Sequence, residues 1–187
     1  SVTLVTTPTA VQPKEHPHLR RIFIKNVAEL QTVLEKETPT NQVLIHAMAV
    51  SDYSPVYMSG FKAVKEASNL EHFLHQTNQE SKISSEEDYQ VLFLKKNPKL
   101  ISLVKTWNPD IRLIGFKLLV DVAQDQLLSV ARASLEKNQA EMIVANDLNE
   151  IQDGRHRAYL VTKDATQIAE TKLDIAQKIY HHIRNKG

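Results

Sequence analysis

The sequence predicts an α/β fold: an open, mostly parallel, doubly wound (Rossmann-like) sheet with helices on both faces. Apolar runs of strand length alternate with segments whose apolar residues recur at helical spacing. One of these runs, VLIHAMAV at 43–50, is nearly continuous, as in a strand buried on both faces. Because ligands bind beyond the carboxyl ends of the strands in such a sheet, polar residues at strand ends are the candidate site residues.

The start of the chain predicts two strands, a helix and a further strand. β-Branched runs predict the strands 2–7 and 21–25, and apolar residues at helical spacing predict a helix over 28–36. The apolar run at 43–50 predicts the next strand. Strand, helix and strand together suggest a βαβ unit.

The second half of the chain shows a regular alternation. Asn97 followed by Pro98 is typical of a helix cap and a first helical residue. The remaining elements follow from hydrophobic spacing: strands at 90–94, 111–116, 141–145 and 158–162, and helices at 98–107, 125–138 and 167–184.

The length and composition predict a single domain over 1–187. The chain has 187 residues, of which 42% are hydrophobic and 24% charged, which is enough to bury one core. The polar segment after the run at 43–50 has no strong period. We interpret 54–89 as a flap or dimerisation excursion, in which 61–74 could contain a helix.

Charge and cysteine content exclude several classes of protein. With 23 Lys and Arg against 22 Asp and Glu, the net charge of +1 predicts neither a nucleic-acid nor a membrane partner. The absence of cysteine excludes disulfides, thiolate zinc sites and a cysteine nucleophile. No apolar run approaches the roughly 20 residues of a spanning helix. We therefore expect a cytoplasmic protein.

Three predicted strands end in polar residues that could contact a ligand. Asp52 follows the run at 43–50 and could bind a metal or a hydroxyl group, or equally cap a turn. Lys117 follows the strand 111–116. Asn146 and Asp147 could orient a substrate, although such residues more often satisfy local backbone groups.

Other candidates are weaker when only their positions are considered. His46 lies inside an apolar strand, where a hydrogen-bonded core histidine is commoner than a ligand. Lys82 lies in a polar segment, where a solvated lysine is the usual case. The helix start after Asn97 offers free N–H groups and a positive dipole end that could bind a phosphate. None of the four glycines forms a GxGxxG or GxxxxGK[ST] loop.

Five short motifs occur in an order that resembles a known family. They are VLIHAMAVSDY (43–53), Lys82-Ile83, LFLKKNPKLI (92–101), LIGFK (113–117) and MIVAND (142–147). Together they resemble the phosphopantothenate–cysteine ligases, and the free-standing bacterial CTP-dependent type in particular. The resemblance implies a homodimer that condenses 4′-phosphopantothenate with L-cysteine, using CTP and Mg²⁺ through an acyl-cytidylate intermediate.

The resemblance also implies roles for particular residues. Lys82 would be catalytic and would contact the nucleotide phosphates, and Asp52 would hold the nucleotide or its metal ion. Asn146 would bind substrate. The remaining nucleotide contacts would be the backbone of His46, Ala47 and Met48, the helix start at Pro98, Lys99, Leu100 and Ile101, and the aromatic ring of Phe116.

The chain departs from the family pattern in several places. The family motif KIKK reads Lys82-Ile83-Ser84-Ser85 here, and NPDI reads with Lys99 at the acidic position. Ser134 and Asn138 stand where the fused decarboxylase–ligases direct lysines at the nucleotide.

The family's opening strand, Gly-rich loop and first helix have no counterpart in these 187 residues, so we expect this form alone to be inactive. A non-catalytic nucleotide-binding relative is the alternative. A generic doubly wound oxidoreductase has no dinucleotide fingerprint to support it.

Overall fold

The computed structural model describes residues 1–77, 87–152 and 154–185. The chain forms two compact units, which are described separately below. The larger unit comprises Ser1–Ala49 and Leu100–Gly187, and the smaller unit comprises Val50–Lys99. Among the described residues, no helix is both long and apolar enough to cross a bilayer. The assignment of 1–187 to a single ligase domain stays a prediction.

The described part of the larger unit contains eleven strands and helices: the five strands of the main sheet, a separate strand pair and four helices. In chain order they are β1 (Val2–Thr6), β2 (Leu19–Phe23), α1 (Val27–Glu37), β3 (Val43–His46), α4 (Leu100–Trp107), β6 (Arg112–Leu119), α5 (Gln124–Lys137), β7 (Met142–Asp147), β8 (Ala158–Val161), β9 (Thr166–Ala169) and α6 (Lys172–Asn185), where the missing numbers belong to the smaller unit. Short 3₁₀ turns lie at Thr38–Thr40 and Leu148–Glu150.

The main sheet has the strand order β3-β6-β7-β8-β9. β3, β6 and β7 are parallel, whereas β8 is antiparallel to both of its neighbours. β9 consequently runs in the same direction as β7, so that β8 alone is reversed. β1 and β2 form a separate parallel pair. The predicted mostly parallel α/β sheet is confirmed.

Helices cover both faces of this sheet. On one face, Leu113 and Ile143 pack with Val104 of α4 and Leu127 of α5. On the other, residues such as Val144 pack with α6 through Ile175 and Ile179. Alternate residues of β6 and β7 thus enter opposite cores, and each fully buried aliphatic side chain contributes about 1.5–3 kcal/mol. This arrangement confirms the predicted double winding.

Gly115 lets α4 pack closely against the centre of the sheet. A Cβ atom there would lie 2.8 Å from the Cδ1 of Ile101 and 2.9 Å from the Cδ1 of Ile143. Real Cβ atoms do not approach carbon so closely, so a larger residue would force the side-chain ends of Ile101 and Ile143 to shift. The glycine of the LIGFK motif therefore has a packing role.

An ion-pair network fastens the C-terminal end of α6 to the sheet. Arg112 Nε and Nη2 donate to the two carboxylate oxygens of Glu141 at 2.7 and 2.9 Å. Arg112 Nη1 also donates to the carbonyl of Ile183 at 2.8 Å, and His182 Nε2 lies 2.7 Å from Glu141 Oε1. The hydrogen bond from Arg112 is the main reason why the pKa of Glu141 is lowered. The network lies at the edge where the parallel strands begin.

The smaller unit is built on an antiparallel strand pair. It contains β4 (Tyr53–Gly60), α2 (Phe61–Glu66), α3 (Glu71–Leu74) and β5 (Gln90–Lys96). Phe73 of α3 stacks on Phe93 with ring centroids 5.2 Å apart and on Tyr57 at 6.0 Å. The predicted excursion at 54–89 falls within this unit. In the described residues of this unit the helices are two short ones, and β4 was not predicted.

Two predicted elements near the start of the chain need correction. The strand predicted over 43–50 ends at His46, and it is not buried on both faces, since Ile45 is 45% exposed. β3 pairs only with β6 in the described part of the chain, which leaves its other edge open. The predicted βαβ unit is also wrong in its pairing, because β2 pairs with β1 and not with β3.

Two predicted helices begin too early. The helix predicted from Pro98 begins at Leu100, because the side chain of Asn97 bonds to Ser51 and Ser54 and does not cap it. The helix predicted over 167–184 begins at Lys172. Thr166–Ala169 instead forms β9, where antiparallel pairing with β8 overrides the helical pattern.

Asn138 ties α5 to α4 through hydrogen bonds of its buried side-chain amide. It is 7% exposed, and its Oδ1 accepts from Ser102 Oγ at 2.8 Å. Its Nδ2 donates to the carbonyl of Ser134 at 2.8 Å and to the Ser134 hydroxyl at 3.2 Å. Ser134 and Asn138 therefore help to join two helices.

We expect Asn138→Ala to lower the free energy of unfolding by about 1–3 kcal/mol, because the hydrogen bonds of its buried amide to Ser102 and Ser134 are lost. Denaturant unfolding monitored by circular dichroism measures the change. The exposed neighbour Lys137 offers a matched control, since Lys137→Ala should change stability by less than about 0.5 kcal/mol. Equal midpoints for Asn138→Ala and the parent would contradict a structural role.

Candidate active site

In the smaller unit, Asn97 holds the segment that carries Asp52. Its backbone N–H donates to the carbonyl of Asp52 at 2.8 Å. Its side-chain Nδ2 donates to the carbonyl of Ser51 at 2.9 Å, and its Oδ1 accepts from Ser54 Oγ at 2.9 Å. This one residue therefore fixes the backbone on both sides of Asp52. The sequence suggested Asn97 only as a helix cap.

Asp52 and Lys99, both predicted nucleotide contacts, form an ion pair. Their side chains are 57% and 56% exposed, so water and salt screen the attraction and the pair adds little to stability. Both side chains remain accessible to a ligand. The resemblance predicts an acidic residue at the position of Lys99, which here brings a positive charge to Asp52.

In the larger unit, Phe116 and Asn146 lie on the same face of the sheet, towards the carboxyl ends of β6 and β7. Phe116 is paired with Val144, and Leu118 with Asn146, in the parallel ladder. Phe116 packs against the core beneath α6. Asn146 is 8% exposed, and its side chain has no hydrogen-bond partner among the described residues. The amide is therefore available to a ligand.

Asp147 organises the loop that follows β6. It is 4% exposed, and its carboxylate accepts backbone N–H groups of Val122 at 2.7 Å, Asn149 at 2.8 Å and Asp121 at 3.2 Å. These bonds lower the pKa of Asp147, that from Val122 most of all. Of the two interpretations of Asp147, the structure supports the one in which its side chain binds nearby backbone N–H groups. Asp121 adopts a left-handed conformation with φ of 54°.

The larger unit has two cavities lined by charged residues. One of about 130 Å³ is lined by Asp121, Asp147 and Glu150, whose charges disfavour a phosphate. The other, of about 460 Å³, is lined by Arg155, His156 and the start of α6. Burial is the main cause of the lowered pKa of His156. Sequence reasoning missed this basic cavity, although the run Arg155-His156-Arg157 could have indicated it.

The other predicted nucleotide contacts in the larger unit differ in which of their groups a ligand could reach. His46 pairs with Gly115 at the end of β3, and burial lowers the pKa of its imidazole. Ala47 and Met48 follow outside the ladder, with backbone free of strand pairing. Leu100 is 2% exposed and Ile101 packs in the core, so a ligand contact there would use the backbone N–H groups.

The predicted site residues are thus divided between the two units. Lys82 lies outside the described residues. Asp52, Pro98 and Lys99 belong to the smaller unit. The larger unit contains His46, Ala47, Met48, Leu100, Ile101, Phe116 and Asn146. Within the residues described, no three His, Asp or Glu side chains form a group that could hold a metal ion by themselves.

The sequence and the fold match one protein family. Residues 1–78 and 71–186 match the family described as the DNA/pantothenate metabolism flavoprotein C-terminal domain. The chain belongs to this family. The resemblance inferred from the five motifs is thereby confirmed.

Individual members of the family support this assignment. A Streptococcus pneumoniae structure described as the DNA/pantothenate metabolism flavoprotein is 50% identical, with a TM-score of 0.92, over 99% of this chain and 81% of that one. The C-terminal domain of the coenzyme A biosynthesis bifunctional protein CoaBC shares the fold, with a TM-score of 0.65 at 20% identity over 97% of this chain and 71% of that one.

Curated relatives carry names from coenzyme A biosynthesis. The bifunctional protein CoaBC of Thermococcus kodakarensis is 27% identical over 186 residues, which cover 97% of this chain and 40% of that protein. The phosphopantothenate–cysteine ligase of Mus musculus is 36% identical over 100 residues, covering 53% of this chain and 29% of the mouse protein. The chain spans less than half the length of these relatives.

The lowered pKa of Asp147 makes a prediction for acid stability. Because the folded pKa lies below the unfolded one, the stabilising contribution is complete above the unfolded pKa and is lost as the pH falls through the folded value. We expect the melting temperature of Asp147→Asn to fall less steeply than that of the parent below about pH 4. Thermal unfolding across pH measures this slope.

The exposed carboxylate of Asp164, in the turn after β8, provides a matched control. Asp164→Asn should follow the parent curve at every pH. If the melting temperatures of Asp147→Asn and the parent fell equally steeply below about pH 4, the three N–H bonds would not contribute to acid stability.

Proposed function

We propose that this chain is the ligase domain of a phosphopantothenate–cysteine ligase that condenses 4′-phosphopantothenate with L-cysteine at the expense of CTP. The observation that carries the proposal is the family match over nearly the whole chain. The names of the Thermococcus and mouse relatives supply the reaction class. The choice of CTP follows the resemblance to the free-standing bacterial type of ligase.

The proposed chemistry proceeds in two steps. A carboxylate is a poor acyl donor, so its oxygen first attacks the α-phosphorus of CTP and releases pyrophosphate. The amine of cysteine then attacks the acyl carbon of the acyl-cytidylate, forming the amide and releasing CMP. Neither step needs a protein nucleophile, since positioning and charge neutralisation supply the catalysis. A chain without cysteine can perform both.

The described residues fit particular parts of this reaction. Asn146 offers an unpartnered amide, and Phe116 offers an aromatic surface on the same sheet face. Lys99 is an exposed cation for the phosphates, and Asp52 is an exposed carboxylate. We assign the catalytic phosphate contact to Lys82 from the family motif alone. These roles rest on the family's motif positions and on the exposure of the side chains.

Magnesium is proposed to accompany the triphosphate. Mg²⁺ is commonly held by one or two carboxylates together with substrate phosphates, and it would neutralise phosphate charge here. Asp52 suits that role, being the one exposed carboxylate in the predicted nucleotide set.

The strand order leaves a place for the family's Gly-rich loop. A doubly wound sheet has the order 3-2-1-4-5-6, and the turn after its strand 1 carries the phosphate-binding glycines. Here β2-β1 and β3-β6-β7 match positions 3-2 and 4-5-6. None of the described strands occupies position 1, which in such an order lies between positions 2 and 4.

We expect the complete protein to release pyrophosphate with CTP, magnesium and 4′-phosphopantothenate, and to form the amide when cysteine is added. A coupled pyrophosphate assay with CTP or ATP measures the first step. Lys82→Gln in the complete protein should lower kcat at least about a hundredfold without a matching loss of stability. Absence of release with either nucleotide would favour a non-catalytic relative.

We also propose that the protein is a homodimer and that the smaller unit takes part in the interface. A two-stranded sheet is marginal in water, and one face of β5 exposes Leu92 and Leu94 by about half, at 51% and 52%. We expect Leu92→Glu to shift the protein towards monomer in sedimentation velocity. The control is Ile168→Glu, at an equally exposed position of β9. A monomeric parent would refute the dimer.

A further inference from the structure

Asn97 connects two of the family's motifs within the smaller unit. It belongs to LFLKKNPKLI, and its partners Ser51, Asp52 and Ser54 belong to or adjoin the VSDY end of the first motif. Its three bonds measure 2.8 to 2.9 Å, within the ordinary range for such hydrogen bonds. The two motifs are distant in sequence and meet at this residue.

The bonds fix the segment where the strand pair ends. Tyr53 pairs with Lys96 and Ser54 with Lys95, so Asp52 and Asn97 lie just beyond the last paired residues. There the backbone bond from Asn97 to the Asp52 carbonyl continues the ladder. The amide side chain adds a bond before Asp52 and another after it. The direction of the Asp52 side chain therefore depends on Asn97.

The same residue also limits where Lys99 can lie. Only Pro98 separates Asn97 from Lys99. Proline fixes its own φ, and it restricts the preceding residue to extended backbone. A fixed Asn97 followed by proline therefore directs Lys99 towards Asp52, with which it forms the ion pair. One carboxylate and one ammonium group are presented together although both are more than half exposed.

We propose that Asn97 is a positioning residue of the nucleotide site, and that its amide holds Asp52 and Lys99 where a metal–nucleotide complex can meet both charges. This inference rests on the proposed function. Asn97 itself touches neither nucleotide nor metal and acts through Asp52 and Lys99. A residue that merely ended the strand pair would affect stability without affecting nucleotide affinity.

The test measures CTP binding to the complete protein by calorimetry in magnesium chloride. Asn97→Ala should raise the Kd for CTP about tenfold, and Ser54→Ala, which removes only the bond to Oδ1, about threefold. Asn69→Ala is the matched control. Asn69 likewise makes a side-chain hydrogen bond in the smaller unit, accepting the backbone N–H of Glu71 at 2.9 Å, and its loss should leave the Kd unchanged.

A double-mutant cycle separates positioning from simple structural support. If Asn97 acts through Asp52, adding Asp52→Asn to Asn97→Ala should raise the Kd much less than Asp52→Asn does in the parent. Independent effects, which multiply, would overturn the inference. So would a Kd for Asn97→Ala within about twofold of the parent. If Asn97→Ala fails to fold, Ser54→Ala decides, since an unchanged Kd for that variant also refutes the positioning role.

Failure of the proposed function gives a different result. A parent protein that neither binds CTP nor releases pyrophosphate overturns the ligase proposal together with this inference. A parent that binds CTP and releases pyrophosphate, while the Asn97 and Ser54 variants bind equally well, overturns the positioning role of Asn97 alone.

Discussion

The parallel pairing of β6 with β7 is the constraint on which the larger unit depends. Its register runs from Ile114 opposite Met142 to Leu119 opposite Asp147. Because side chains alternate between faces, this register decides which residues enter each core. A shift of one residue would exchange the two cores and move Asn146 to the face beneath α5. The packing and the placement of polar groups at the carboxyl edge therefore have one origin.

Polar residues just beyond the strands hold irregular backbone in place. Asp147 does so with a buried carboxylate that accepts three N–H groups, and Asn97 does so with an amide that both donates and accepts. Asp52 and Asn146 are placed differently, since one is exposed and the other lacks a side-chain partner among the described residues. Residues that build the edge are thus distinguishable from residues that are available to a ligand.

Hydrophobic spacing predicted the elements that are buried by their own pattern. The helix expected over 125–138 is α5 within a residue at each end, and the strand expected over 141–145 is the buried β7. β4 and β9 were missed because strand pairing with β5 and β8 stabilises them more than their own patterns indicate. The end of β3 was misplaced for a related reason: an apolar run does not reveal where its pairing partner stops.

The candidate site was also predicted only in part from the sequence. The motifs identified the family and indicated Asp52, Phe116 and Asn146 from their order along the chain. Asp147 and Asn97 acquired their roles only in the folded structure. Nothing in the neighbouring sequence marks the bonds from Asn97 to Ser51 and Ser54, or the bond from Val122 to Asp147.

The amino-acid sequence by itself determined the family, the α/β class and the residue types at the strand ends. Tertiary structure decided which of those residues hold the backbone and which remain available to a ligand. The physical reason is the range of the interactions. Hydrophobic periodicity repeats within a few residues, whereas the hydrogen bonds of Asn97 join residues 43 and 46 positions apart, and those of Asp147 reach back 25 and 26. Such partners become neighbours only when the strands have paired.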